Sequence, residues 1–392
     1  MFARRTNWNL APNRLAQALQ QLRASGAEIL DLTESNPTRC DLAYGQPRIL
    51  AALAHPDALH YNPNPKGLPS AREAVAAYYA ERDGASGACV ETEQVVLTTS
   101  TSEGYSFIFR LLCDPSDEIL VASPSYPLFE LLADVQDVKL VPYSLFYDHG
   151  WHFDMHALQR GITDRTRAVI VVHPNNPTGS YVKPGEAKAL CDMCRERGLA
   201  IVADEVFLDY AHGGPPRTSF AENERALTFT LSGLSKISAL PQMKLAWIVT
   251  SGPEEIKHEA LERLEVIADT YLSLSTPLQL AAPELLQQRH GVRRQLLERI
   301  GENLAELDSQ LADQSACERL QIEGGWYAIV RVPVTHSDEE LAVRLLEQES
   351  IFVHPGHFYD FPADGYLVVS LITPAKRFRE GVMRLMRGIS TL

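Results

Sequence analysis

Three short stretches carry residue types that could do chemistry together. HPNNPTG spans 173–179, ADEVF spans 203–207 and SGLSK spans 232–236. Each follows an apolar run of strand character: Val169–Val172, Leu199–Val202 and Thr228–Leu231. In open α/β sheets, ligands bind beyond the carboxyl ends of the strands. These stretches would therefore bring an amide (Asn176), a carboxylate (Asp204) and an amine (Lys236) to one edge. A lysine amine attacks carbonyl carbon once it has lost its proton, and it can then carry a proton itself. Taken singly, an Asn-Pro pair is an ordinary turn, a strand-end Asp a helix cap, and a lysine a solvated charge. Their shared position is what points to a site.

The elements around them read as an α/β fold. Asn13–Gly26 has the pattern of an amphipathic helix closed by Gly26, and Pro69–Arg82 of another ending at Asp83-Gly84. Buried-strand runs follow at Gln94–Thr98, Glu118–Ala122, Lys139–Pro142, Ala168–Val172, Ala200–Ala203, Leu227–Leu231 and Leu245–Thr250, alternating with helical stretches and turn signals such as Pro124, Pro174 and Pro253. This alternation predicts a large domain built on a mostly parallel sheet flanked by helices, over 45–280. Beyond about 280 a long helix over Pro283–Leu311, strands at Trp326–Val332 and Tyr366–Leu371, and a helix over Asp338–Glu349 predict a smaller α+β domain. Residues 1–44 are expected to join 281–392 in it.

Composition narrows the function. The 392 residues hold 36 Lys and Arg against 50 Asp and Glu, a formal charge of −14. No basic face or run offsets it, which argues against a nucleic-acid partner. No stretch approaches a membrane span, and MFARRTNWNL lacks the apolar centre of a secretory signal, so a cytoplasmic setting is expected. Six cysteines lie at 40, 89, 113, 191, 194 and 317. Cys191 and Cys194 have CxxC spacing without a second pair, so buried helix thiols are expected rather than a redox or zinc centre. His173, His354 and His357 lack metal-ligand spacing, and no metal is expected. Trp326 and Tyr327 read as core or pocket wall. A GxGxxG after the first strand, the mark of a nicotinamide site, is absent.

Taken with YNPNPKGLPSARE at 61–73, LTTSTSEG at 97–104, PSYP at 124–127 and FVHPGHFYDF at 352–361, NNPTG and S-x-x-S-K resemble the fold-type I pyridoxal-phosphate enzymes of the aspartate aminotransferase superfamily, class I/II. The resemblance runs from about residue 30 to the C-terminus. It implies a pyridoxal 5′-phosphate cofactor carried on Lys236, its ring nitrogen facing Asp204, its phenolic oxygen facing Asn176 and its ring face covered by Tyr126. Thr101 and Ser102 would offer helix N-terminal amides to the phosphate, with Ser232, Ser235 and Lys244 beside them. Tyr61 would reach a partner subunit's cofactor in a homodimer. The activity implied is ping-pong transfer of an amino group between an amino donor and a 2-oxo acid. A lyase, decarboxylase or synthase of the same fold is the alternative.

Three positions depart from the family pattern. Phe207 stands where many relatives place a tyrosine. Lys244 stands where an arginine grips the phosphate, and lysine lacks the bidentate fork. Val368, in GYLVVSL, occupies the place of the arginine that clamps the substrate carboxylate. Asn36, Arg331 and Arg377, together with Arg379, are the nearby substitutes by sequence.

Overall fold

Six of seven apolar runs between 95 and 251 are buried on both faces, and the seventh, at Lys139–Tyr147, is buried only in part. In the computed structural model, which describes residues 1–82, 90–214, 217–272, 274–312 and 316–391, they form strands together with one further short one. The turn Asp83-Gly84 and Cys89 lie outside the described residues. In chain order the strands are β1 (Val95–Thr98), β2 (Glu118–Ser123), β3 (Lys139–Tyr147), β4 (Trp151–Phe153), β5 (Thr166–Val172), β6 (Ala200–Asp204), β7 (Thr228–Gly233) and β8 (Ala246–Ser251). Their order across the sheet is β1-β8-β7-β6-β5-β2-β3-β4. The five strands β7, β6, β5, β2 and β3 run parallel, while β8 pairs antiparallel with both β7 and β1, and β4 pairs antiparallel with β3.

Alternate residues of each strand feed two cores, as the pleat requires. Ile119, Ile170, Val202 and Phe229 face one layer with Phe109 and Leu264. Leu120, Val169 and Ile201 face the other with Leu190 and Trp326. The helix Thr101–Leu112 lies close on the sheet because residue 104 is glycine. A Cβ there would stand 2.6 Å from Leu231 Cδ2, so a side chain would push the helix outward. Its N-terminus is capped by Ser100, whose Oγ accepts from Glu103 N at 3.1 Å, while Glu103 Oε2 accepts from Thr99 N at 2.6 Å.

The long helix expected over Pro283–Leu311 is two helices, Thr276–Gln287 and Arg289–Leu311. Pro283 lies inside the first of them rather than opening it. The start signal was Ser275 as N-cap with Pro277 in the first turn. The second sheet is antiparallel, with Glu318–Arg319, Tyr327–Arg331, Tyr366–Ser370 and His354–Pro355 in that order. Residues from the start of the chain are sewn to this region. Leu30–Asp31 pairs in parallel with Ile351–Phe352, and Arg14 on the helix Arg14–Ala24 meets Glu340 at 2.8 Å. Ser370 then donates twice to the same incoming segment, from its N to Leu32 O and from Oγ to Glu34 O, each at 2.6 Å.

Candidate active site

Because β5, β6 and β7 are parallel and in register, Val172, Asp204 and Leu231 end side by side. The turns that follow leave the sheet at one edge, where the helix Thr101–Leu112 also begins. There they enclose a cavity of about 140 Å³ lined by Thr101, Tyr126, Asn176, Asp204, Phe207, Ser235 and Lys236, with Ser35 and Tyr327 closing it from the side of the second sheet. Hollows of about 420 to 690 Å³ lie elsewhere, none lined by any of these residues.

Lys236 sits in the single helical turn Leu234–Ile237, directly after Gly233. Its carbonyl accepts from Tyr210 OH at 2.6 Å, which fixes the backbone. Its ammonium nitrogen lies 4.8 Å from the Trp326 ring centroid and 5.4 Å from that of Phe207. Burial lowers its pKa to about 8, with the Asp204 charge pulling the other way. Burial likewise raises Asp204 to about 6, opposed by hydrogen bonds from Val206 N and Tyr105 OH and by the charge of Lys236. The Tyr105 bond is 3.0 Å and joins two buried groups. An amine and a carboxylate are thus both displaced toward neutral pH in one cavity, the pattern expected where acid–base chemistry is done.

Asn176 is buried, and its Oδ1 has no hydrogen-bond partner among the described residues. The adjacent Asn175 is satisfied, donating to Pro124 O at 3.4 Å and accepting from Thr178 Oγ1 at 3.0 Å. An orphaned buried amide oxygen is costly, and Asn176 carries that cost in a side chain that lines the cavity. Gly179 makes this loop possible: at φ +66° its missing Cβ would stand 2.5 Å from Gly324 O. His173 opens the loop but does no chemistry. Burial lowers it to about 3. It accepts from Val182 N at 3.1 Å through Nδ1, which leaves Nε2 as donor toward Thr218 O at 3.2 Å.

The remaining candidates divide. Thr101 and Ser102 occupy the first turn of their helix, where N–H groups have no intrahelical acceptor and can hold an anion. Ser235 shares the cavity, but Ser232 is buried in β7 with its hydroxyl toward Glu205 O at 3.4 Å. Lys244 is exposed, at φ +50°. Tyr61 is 75 % exposed. Tyr126 meets Phe129 edge-on at 5.8 Å, and Phe129 meets Tyr105 at 5.2 Å.

None of the substitutes suggested for a carboxylate clamp lines the cavity. Asn36 caps the turn Pro37–Arg39, its Oδ1 accepting from Thr38 Oγ1 at 2.7 Å. Arg331 is held by Glu318 at 2.7 Å and Arg379 by Glu306 at 2.9 Å, while Arg377 points to Ile29 O at 3.4 Å. Val368 is buried in the second sheet, paired with Ile329 on one side and His354 on the other. Sequence reading missed Tyr105 and Ser35. Tyr105 lies one turn beyond the Ser100 cap, and Ser35 precedes Asn36 in ESNPT. Cys191 and Cys194 are buried free thiols with raised pKa values, Cys194 to about 12. Among the described residues no helix is long and apolar enough to cross a membrane.

Comparison with known proteins agrees with this geometry. The chain is 25 % identical to the glutamate-pyruvate aminotransferase AlaA of Haemophilus influenzae, over 94 % of this chain and 93 % of that one. It is 28 % identical to the arginine–pyruvate transaminase AruH of Pseudomonas aeruginosa, over 96 % and 93 %. Its fold matches an alanine aminotransferase structure from Pyrococcus furiosus with a TM-score of 0.91, at 22 % identity and full coverage of both chains. The model of aminotransferase class I and II matches residues 29–379. The chain belongs to that family, and it is an aminotransferase rather than a lyase, decarboxylase or synthase of the same fold.

Proposed function

We propose that this aminotransferase carries pyridoxal 5′-phosphate on Lys236 and transfers an amino group between an amino donor and a 2-oxo acid by a ping-pong cycle. One observation carries the reading: a lysine amine of lowered pKa and a buried carboxylate face a single cavity that Asn176 also lines, with an amide N–H to donate. The residues fit the group. Lys236 would hold its aldehyde carbon, Asp204 its ring nitrogen, Asn176 its phenolic oxygen and Tyr126 its ring face. Thr101, Ser102 and Ser235 would hold its phosphate, and Ser232, Lys244 and Tyr61 of a second subunit belong to the same proposal. When bound, the group supplies an electrophilic carbon and a cationic ring able to take up negative charge from the substrate.

The chain's own groups do the rest. With a pKa of about 8, Lys236 Nζ is deprotonated in part near neutral pH. It can therefore act first as nucleophile and then as the base that moves the proton from the substrate α-carbon. Asp204 is ionised above about pH 6 in the free site, and as an anion it would favour a protonated ring nitrogen on the bound cofactor. Tyr105 OH donates to Asp204 Oδ2, a bond that favours the charged carboxylate. Phe207 and Trp326 shield the Lys236 amine with their ring faces and exclude water from it.

The names of both AlaA and AruH contain pyruvate, and we assign pyruvate as acceptor here, with alanine its product. The working division is a cofactor domain over 45–280 and a substrate-side domain of 1–44 with 281–392. A homodimer in the cytoplasm completes the proposal. Lys236→Ala tests it. The variant should lose the visible absorbance of lysine-bound cofactor and more than ~10⁴-fold of activity, the scale of a lost nucleophile and base together, with an unchanged melting temperature. A wild-type visible spectrum in the variant would refute the assignment.

A further inference from the structure

An amino acid and its 2-oxo acid both present a carboxylate next to the reacting carbon. Among the residues that line the cavity, Lys236 is the only cation, and its amine is committed to the cofactor in the reading above, on which this inference rests. The arginines at 331, 377 and 379 are bound elsewhere. A transaminase of this design still needs a positive group at the substrate end.

One arginine is placed to supply it. The segment from Leu32 to Cys40 enters along the second sheet, pinned by the two bonds from Ser370 to Leu32 O and Glu34 O. Next to that pin Ser35 lines the cavity, and the Glu34 carboxylate lies close enough to Tyr327, another lining residue, to act on its phenol. Four residues on, Arg39 ends the short turn Pro37–Arg39. Its guanidinium is 73 % exposed and touches only the Glu34 carboxylate, at 3.9 Å. That distance is long for an ion pair and worth little at such exposure. The buried side chains of Pro37 and Cys40 fix the turn's backbone, so the side chain is the mobile part.

We propose that Arg39 is the specificity-determining cation of this site: parked on Glu34, it turns onto the substrate carboxylate when the donor or acceptor enters, in place of the arginine that Val368 lacks. A bidentate guanidinium–carboxylate pair in a closed cavity is a strong, directional contact. Glu34 then acts as a competing anion that holds the clamp at the mouth between turnovers.

The test compares two donors that differ only at this group: alanine, and isopropylamine, in which a methyl replaces the carboxylate. Holoenzyme is titrated with each, reading the change in the visible cofactor spectrum and steady-state rates with pyruvate. Arg39→Gln should raise the apparent Kd for alanine and the KM for pyruvate by about 10- to 100-fold, the scale of a lost charge-assisted pair. Affinity for isopropylamine, the cofactor spectrum and the melting temperature should not move. Arg39→Lys should recover only part of the loss, and Glu34→Gln should tighten alanine. An unchanged alanine-to-isopropylamine preference in Arg39→Gln overturns the proposal, as does an equal loss for both donors. A wild-type enzyme that binds cofactor but reacts with neither donor would instead count against the alanine–pyruvate assignment beneath it.

Discussion

The two sides of the cavity are built differently. Its floor is the carboxyl edge of five parallel strands, where Asn176, Asp204 and Lys236 follow β5, β6 and β7 within a few residues. Each is fixed locally, by a loop, a strand end and a single helical turn. Its outer wall comes from the second sheet and from a segment some three hundred residues earlier in the chain, joined to it at Ser370. Phe207 lies on the floor beside Lys236, whereas Val368 belongs to the wall. A site can hold its chemistry on rigid local geometry while its selectivity rests on contacts that only the tertiary fold brings together.

The comparison breaks most sharply at Asp204. Asp204→Asn should lower kcat by roughly 10³-fold, as expected for removing one preorganised charge partner, while KM for alanine stays within a factor of about 3. A matching rise in KM would mean that floor and wall are not separable. In the wild-type apoprotein Asp204 takes up a proton as pH drops through about 6, so cofactor affinity should weaken below that pH. The sign for stability is opposite. A carboxyl group whose folded pKa is raised favours the fold at low pH, and that contribution is lost as pH rises from the unfolded value to about 6. The apoprotein should therefore gain stability from mild acid at Asp204 under conditions where it takes up cofactor less tightly. Melting temperatures of apo and holo forms between pH 4.5 and 7.5 decide it.

Tyr105→Phe gives a smaller effect. Losing one hydrogen bond to the ionised carboxylate should weaken cofactor affinity by about tenfold and move the acid limb upward, with little change in melting temperature. If the limb stays in place, Tyr105 is packing alone. Phe207→Tyr should be smallest, shifting the midpoint of the holoenzyme's visible pH transition down by ~1 unit with kcat and KM nearly unchanged. An upward shift, or none, would show that the added hydroxyl does not reach the cofactor.

The same contrast explains what could be read from the sequence. Strand runs buried on both faces announce themselves, and the residues that follow them inherit their place, so the cavity floor was legible along with the sheet. Pro69–Arg82 and Asp338–Glu349 were legible from their periodicity to the residue. The wall was not, because its neighbours are set by register between distant segments. Arg331 looked available until the antiparallel register set it opposite Glu318, and Asn36 until its side chain proved to cap a turn. Tyr105 reaches an aspartate 99 residues away, for which no local pattern exists. The break near Gln288 is missed by a single helix over Pro283–Leu311: the first helix begins at Thr276 after its Ser275 cap and carries Pro283 within it.

The pairing of Leu30–Asp31 with Ile351–Phe352 also orders events during synthesis. The strands of the cofactor floor lie within 95–251 and can pair as soon as that stretch has emerged. The N-terminal segment must wait for residue 352 before it finds its partner strand, and for Ser370 before it is pinned. Loop closure over that span is slow and is made last. A nascent chain stalled after about residue 280 would thus hold a formed sheet edge with its lysine in place and no wall against it. Asp204 and Lys236 would then stand in place before the segment that carries Ser35 is pinned.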